Sequence, residues 1–493
     1  MARVTKDEQR ELILALTNLG AGQAEAEDSE RHDKRFYPVP EHLRAFEPAV
    51  TLVVGDRGSG KSALFRTVFE KDLLGALARH APHVRLPQIA AGSARWLPAH
   101  PVGREFPDSR GLQAFMQHQP RDAQRAVDFW LAYLVRVVAG AILPVHQQAI
   151  APILAVPAAD PAQVHDAFVQ AGAAPLIALD ALDRHLHDSD AWLFVGYDEL
   201  DTLGGFDTET MSWAIRGLIG FWATYHRRWE RLRAKIFIRS DLFRHHAELG
   251  GADLPKLAAN RAELRWSDRN LLAMLIKRIA NTGERLERYC EGARISFQHD
   301  ERLGALPMLP NSEAARPLID RMIGPYMGAN VKKGLSFRWI LDHVRDGHGN
   351  ASPRALVTLF EKAAENERDL PRQSPPRLLH PTALRLALED VSRFHVTQAI
   401  SNEWPWLRGI QTRLDRQGVP FERRKLEGLL SEDWDQDWGT LPGLRPPSPD
   451  ARSFIDYLVE LGIFRERPSG HIDAPSLFLV GLGLRRKGGV AIR

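Results

Sequence analysis

The segment Gly55-Asp56-Arg57-Gly58-Ser59-Gly60-Lys61-Ser62 constrains this chain more than any other. It fits the pattern GxxxxGK[ST], follows the apolar run Thr51-Leu52-Val53-Val54, and runs into a helical pattern that starts at Lys61. A buried strand feeding a glycine-rich turn and then a helix is the setting in which that pattern forms a phosphate loop. The glycines let the backbone wrap an anion without Cβ clashes, while loop N–H groups and the helix N-terminus face it. Lys61 is expected at the β- and γ-phosphates of ATP, and the Ser62 hydroxyl on Mg²⁺.

A second apolar run, Trp192-Leu193-Phe194-Val195, leads to Gly196-Tyr197-Asp198-Glu199. A strand ending in carboxylates suits Mg²⁺ held by Asp198, often through water. Glu199 beside it can polarise a water for attack on the γ-phosphate. Phosphate-loop kinases and GTPases need no glutamate there, so the pair favours ATP hydrolysis. The competing reading is a solvated acidic loop with a helix cap at Asp201 or Thr202. A third run, Lys235-Ile236-Phe237-Ile238, ends in Arg239-Ser240-Asp241. If it lies between the other two strands, Arg239 or Ser240 points at the γ-phosphate as a sensor. Ser240 or Asp241 capping the next helix is the alternative, and the two are compatible.

At 493 residues the chain is too long for one core, and two to four domains are expected. The net charge of +3 gives no global field for nucleic acid, so local clusters must carry any such role. One cysteine, Cys290, rules out an internal disulfide and a cysteine-rich metal site, which fits a reducing cytoplasm. No apolar stretch follows the N-terminus MARVTKDEQR, so no signal peptide is expected. The longest apolar stretch, 131–145, contains Arg136 and falls short of the roughly 20 residues a span needs, so it reads as a buried helix and no membrane role is expected.

The pattern along the chain predicts a helix and polar loop over 1–37 and a doubly wound α/β core over 38–267. That core carries an insertion at about 80–187, of which 80–120 reads as loop. A helix is expected over 211–233, with Arg227, Arg228, Arg231 and Arg233 on its outer face, and a fourth strand at 264–266. Residues 268–366 read as helical. A proline-rich linker over 366–381 leads to a helical domain at 383–440. After a second breaker at 441–449, residues 450–493 read as a helix followed by a wing-like hairpin turning at Pro468-Ser469-Gly470. Arg485, Arg486 and Lys487 form a basic cluster there, suited to DNA phosphates or equally to an acidic protein surface. Trp404, Trp406, Trp434 and Trp438 read as core or interface, since few basic residues interleave with the last two.

The order of phosphate loop, Asp-Glu strand, polar-tipped strand and helical segment resembles the additional-strand P-loop ATPases, specifically the AAA+ and STAND group. Gly349-Asn350-Ala351-Ser352-Pro353-Arg354 resembles the lid of that group and of KAP-type ATPases, which implies a nucleotide-contacting sensor role for Arg354. The resemblance covers about 38–365, less 80–187. It implies a P-loop NTPase core with a parallel sheet, a helical lid, and C-terminal helical and winged-helix-like domains. It also implies an ATP-hydrolysing switch coupled to a protein or nucleic-acid partner. Bacterial relatives with such a tail include some encoded near phage-defence genes. Assembly as a homo-oligomeric ring would call for an arginine acting in trans, with Arg261 the positional candidate and Arg244 its competitor; solvated surface charge is the competing reading for both. The alternative function is an ATP-dependent DNA-binding regulator or loader. No LSGGQ sequence of the ABC type is present.

Overall fold

Leu52, Val53, Val54 and Gly55 are buried in succession, as a strand covered on both faces must be. In the computed structural model this strand, β1 (Leu52–Gly55), joins β2 (Ala94–His100), β3 (Trp192–Tyr197), β4 (Leu232–Arg239) and β5 (Ala262–Glu263). They form one sheet in the order β2-β3-β4-β1-β5, every pairing parallel. β4 therefore lies between the phosphate-loop strand and the strand that ends at Asp198, which was the condition for its tip to matter. The fold is α/β, a P-loop NTPase core. The structure describes residues 5–20, 29–80, 84, 86, 92–100, 106–117, 122–204, 208–247, 254–369, 377–432, 434, 438 and 445–487. They fall into two units, Pro38–Leu264 and Met1–Tyr37 with Arg265–Arg493.

In the sheet unit, helix Lys61–Phe69 packs against β1, β2 and β4. A Cβ at Gly196 would sit 2.5 Å from the Phe69 ring and 2.7 Å from Phe65. Glycine on β3 is therefore what lets this aromatic pair rest on the sheet. Helix Ala123–Val138 packs against β2 and against helix Thr208–Tyr225, and its buried apolar residues confirm a core helix where the longest apolar stretch begins. Among the described residues no helix is long and apolar enough to cross a membrane.

Several sequence expectations need correction. Residues 80–120 are not simply loop: β2 and helix Ser109–Gln117 lie there. β2 is a half-exposed edge strand with Pro98 inside it, a residue that edges tolerate and that hides a strand from pattern reading. The helix expected over 211–233 ends at Tyr225, and Leu232 already begins β4. The Asp183 carboxylate accepts the backbone N–H groups of Glu230, Arg231 and Leu232 at 2.7–3.0 Å, and Asp180 takes Arg228 in a two-point ion pair. These contacts tie down an extended chain, so the four arginines share no helix face. The fourth strand is Ala262–Glu263 rather than 264–266. The polar segment before Tyr37 contains helix Ser29–Arg35.

In the other unit, helix Lys6–Leu16 is closed by a capping box between Thr5 and Glu8. It packs on helix Pro353–Asp369, with Leu12, Ile13 and Leu16 buried in the same core as Leu356 and Phe360. The largely helical stretch after 268 also holds an antiparallel hairpin, β6 (Phe297–Asp300) and β7 (Gly304–Pro307). The proline-rich residues 370–376 lie outside the described residues, as do 441–444 and 488–493.

Nearer the C-terminus come helix Leu407–Leu414, β8 (Gly418–Val419), helix Arg423–Ser431, helix Ala451–Glu460, then β9 (Arg465–Glu466), β10 (Ile472–Asp473) and β11 (Arg485–Arg486). β9 and β10 form an antiparallel hairpin, a bridge joins Phe421 to Ile472, and β11 pairs in parallel with β8. Phe421 thus links the hairpin to the chain that leaves β8, while β8 and β11 make a separate two-stranded sheet. Trp406, Trp434 and Trp438 are buried around Phe454. The fully buried Asp473 side chain is ion-paired with Arg465, Arg467 and Arg486.

Candidate active site

The loop after β1 has a shape only glycine allows. Gly58 and Gly60 have φ of 73° and 98°, left-handed values strained for any residue with a Cβ. A Cβ at Gly55 would lie 2.4 Å from Ser59 Oγ. Lys61 Nζ folds back over this loop and donates to Gly55 O at 2.9 Å and Asp56 O at 3.1 Å. Burial lowers the Lys61 pKa, and Asp198 opposes the shift.

Asp198, just past β3, is only 3% exposed. Burial lifts its pKa to about 6, against hydrogen bonds that its carboxylate accepts from the Ser62 hydroxyl and the Glu199 backbone N–H. Glu199 has φ of 53° and stands at the N-cap of a one-turn 3₁₀ helix, Leu200–Thr202. The cap is thus Glu199 itself, not Asp201 or Thr202. A glutamate in the left-handed region costs on the order of 1–3 kcal/mol, and such residues cluster at functional sites.

Arg239, at the tip of β4, is 8% exposed. Its guanidinium grips both oxygens of Asp241 at 3.1 and 2.6 Å and reaches Asp201 at 3.4 Å. Burial would raise the Asp241 pKa, yet Arg239 holds it below the usual carboxylate value. Lys61, Asp198, Asp201, Arg239 and Asp241 thus sit close enough to feel one another's charge. The pattern had marked Asp201 and Asp241 only as caps; their grip on Arg239 was not visible in it. Ser240 is half-buried and begins helix Ser240–Ala247.

A cradle shaped by three glycines beside a hydroxyl–carboxylate pair suits Mg²⁺ and a polyphosphate. Mg²⁺ takes hard oxygen ligands, usually one or two from the protein and the rest from phosphates and water. The residues present fit that group.

The remaining candidates are Arg261, Arg354 and the C-terminal basic cluster. Arg261 pairs with Glu263 at 2.6 Å and donates to Ala258 O at 2.8 Å. Arg354 is half-buried in the first turn of helix Pro353–Asp369, in the other unit, behind a Ser352 side chain that accepts the Ala355 N–H at 3.2 Å. Arg485 is exposed, but Arg486 is tied to Asp473 and Lys487 Nζ donates to Pro420 O at 2.7 Å.

No protein-family model matches the chain, and no curated protein matches it. Among solved structures it is similar to the Walker-type ATPase paby2304 of Pyrococcus abyssi, at 14% identity and a TM-score of 0.37, over 92% of this chain and 94% of that one. It is also similar to the ORC2 protein of Aeropyrum pernix, solved as ADPNP–ADP complexes, at 14% identity and a TM-score of 0.31, over 91% and 94% of the two chains. Scores this low support no inference about this chain, whose reading rests on its own residues.

Proposed function

We propose that the chain binds ATP with Mg²⁺ and hydrolyses it, acting as a switch of the AAA+/STAND type that reports nucleotide state to a partner. The observation that carries this is the meeting of the glycine cradle, the Ser62–Asp198 pair and Glu199 at one end of the sheet, with Arg239 presented from the intervening strand. In this reading the N–H groups from Gly58 to Ser62 line the phosphates, and Lys61 leaves its two carbonyls for the β- and γ-oxygens. Ser62 and Asp198 hold Mg²⁺, which when bound offsets phosphate charge. Glu199 accepts a proton from the attacking water. Arg239 or Ser240 senses the γ-phosphate, and Arg354 serves as a second sensor from a helical lid. Nucleotide-dependent homo-oligomers, and a setting in phage defence, follow only from the family resemblance.

Steady-state phosphate release and binding of labelled ATP test the reading. Lys61→Ala is expected to abolish tight binding, because it removes the ammonium expected to reach both the β- and γ-phosphates. Glu199→Gln is expected to keep ATP bound and to lower single-turnover hydrolysis by about 10² to 10⁴. Wild-type binding by the first variant, or wild-type turnover by the second, would sink the corresponding assignment.

A second reading, a DNA-binding regulator or loader, draws support from the order helix, strand, helix, helix, hairpin over 407–473, which is that of a winged helix. Charge opposes it. Helix Ala451–Glu460, the one that would enter a groove, exposes Asp456 and Glu460 beside Arg452. We therefore favour a protein partner for this segment.

A further inference from the structure

β2 and β3 pair in steady register from Ala94 with Trp192 to Pro98 with Gly196, and then the register slips, so that His100 and not Ala99 stands opposite Tyr197. A bulge of this kind bends a strand and re-aims a side chain, and bulges recur at sheet edges beside active sites. Here it turns the His100 ring onto the chain that leaves β3. The ring Nδ1 lies 2.7 Å from Asp198 O, and the His100 carbonyl accepts the Asp198 backbone N–H at 2.6 Å. One residue therefore satisfies both main-chain polar groups of Asp198.

A carbonyl only accepts, so Nδ1 carries the proton. The ring is buried, and burial pushes its pKa down to about 4, which keeps it neutral. It cannot swing aside. Its edge meets Phe106 at 4.9 Å, and Phe106 is packed among Phe129, Trp130 and Tyr133.

The carbonyl that His100 holds belongs to the peptide joining Asp198 to Glu199. The N–H on the other side of that peptide donates to the Asp198 carboxylate. A peptide is planar, so fixing its oxygen and its N–H fixes the whole plane. That plane sets the direction in which Glu199, at φ 53°, leaves the strand.

We propose that His100 is a positioning residue for Glu199, acting through the main chain of Asp198 and never touching the nucleotide. This rests on the ATPase reading above. The test compares wild type, His100→Ala and His100→Asn, the asparagine amide N–H standing about where Nδ1–H stood. Three readouts are taken: single-turnover hydrolysis, the Kd for labelled ATP, and the ¹⁵N shifts of the His100 ring in nucleotide-free protein. A misaligned base costs about 10²-fold in rate, so His100→Ala is expected to lose about that much while Kd stays near wild type. His100→Asn is expected to recover most of the loss, and the ring is expected to report Nδ1 protonation. Full turnover by His100→Ala, loss of ATP binding in parallel with turnover in both variants, or an Nε2-protonated ring would each overturn the proposal. A wild type without turnover sinks the ATPase reading and this proposal with it; a wild type that turns over beside an equally active His100→Ala sinks the proposal alone.

Discussion

Lys277 shows how much one residue can conceal from a sequence reader. It lies in the last turn of the helix Asp268–Ala280 with no exposed surface, and its Nζ donates to the Leu303 carbonyl. Burial pushes its pKa down from 10.5 to about 7, with Asp300 opposing. Between those two values the unfolded chain holds a proton that the folded chain has released, so stability rises with pH across that window. The contribution is complete above about 10.5 and is lost as the pH falls through about 7. Expected outcome: the urea midpoint of the wild type, relative to Lys277→Met, climbs between about pH 6.5 and about pH 10. A difference that stays flat would show that Lys277 does not titrate in the fold. At this scale the glycine loop and the Asp198-Glu199 pair were legible, because their chemistry is written in consecutive residues. His100 was not, since its partner lies 98 positions away. Nor was the hold on Arg239, part of which comes from Asp201, 38 residues distant.

Among the elements, the pairing of helices Ala123–Val138 and Thr208–Tyr225 turns on two glycines with opposite surroundings. A Cβ at Gly217 would lie 2.4 Å from the Ala126 Cβ and 3.1 Å from its backbone, whereas one at Gly220 would meet nothing within 4 Å. Gly217→Ala forces the helices apart and is expected to destabilise by about 1–3 kcal/mol. Gly220→Ala fills open space and improves helix propensity, so it is expected to stabilise by about 0.5–1 kcal/mol. Chemical denaturation of the two variants checks both signs, and equal effects would contradict the packing. The strands β1, β3 and β4 were readable as apolar runs. The end of helix Thr208–Tyr225 was not, because the buried Trp229 continues the helical spacing beyond it, while Asp180 and Asp183, on another helix, hold the chain that follows. β2 escaped for the converse reason, a strand without alternation and with a proline inside it.

For the molecule as a whole, the C-terminal charges make a graded prediction. Three free cations would give a log-affinity against log-salt slope of about −3 with duplex DNA. Arg486 is ion-paired with Asp473, so any DNA binding through this cluster is expected to show a slope nearer about −2, by the same counterion count. Fluorescence anisotropy across a salt series measures it, and a slope of about −3 that vanishes in the Arg485/Arg486/Lys487→Ala variant would restore the DNA reading. The pairing of β8 with β11 escaped the pattern because each strand is two residues long, whereas the β9–β10 hairpin was legible from its turn at Pro468-Ser469-Gly470. The division of the chain carries a consequence for synthesis. Helix Lys6–Leu16 belongs with residues 265–493, and the whole sheet unit is threaded between them. A ribosome adding about 5–20 residues per second needs roughly 17–70 s to pass from this helix to its packing partner Pro353–Asp369. An isolated helix of that length is marginal in water, so Leu12, Ile13 and Leu16 are expected to stay unburied until that partner has been made. Damage to helix Lys6–Leu16 should therefore be felt far downstream, in residues 265–493.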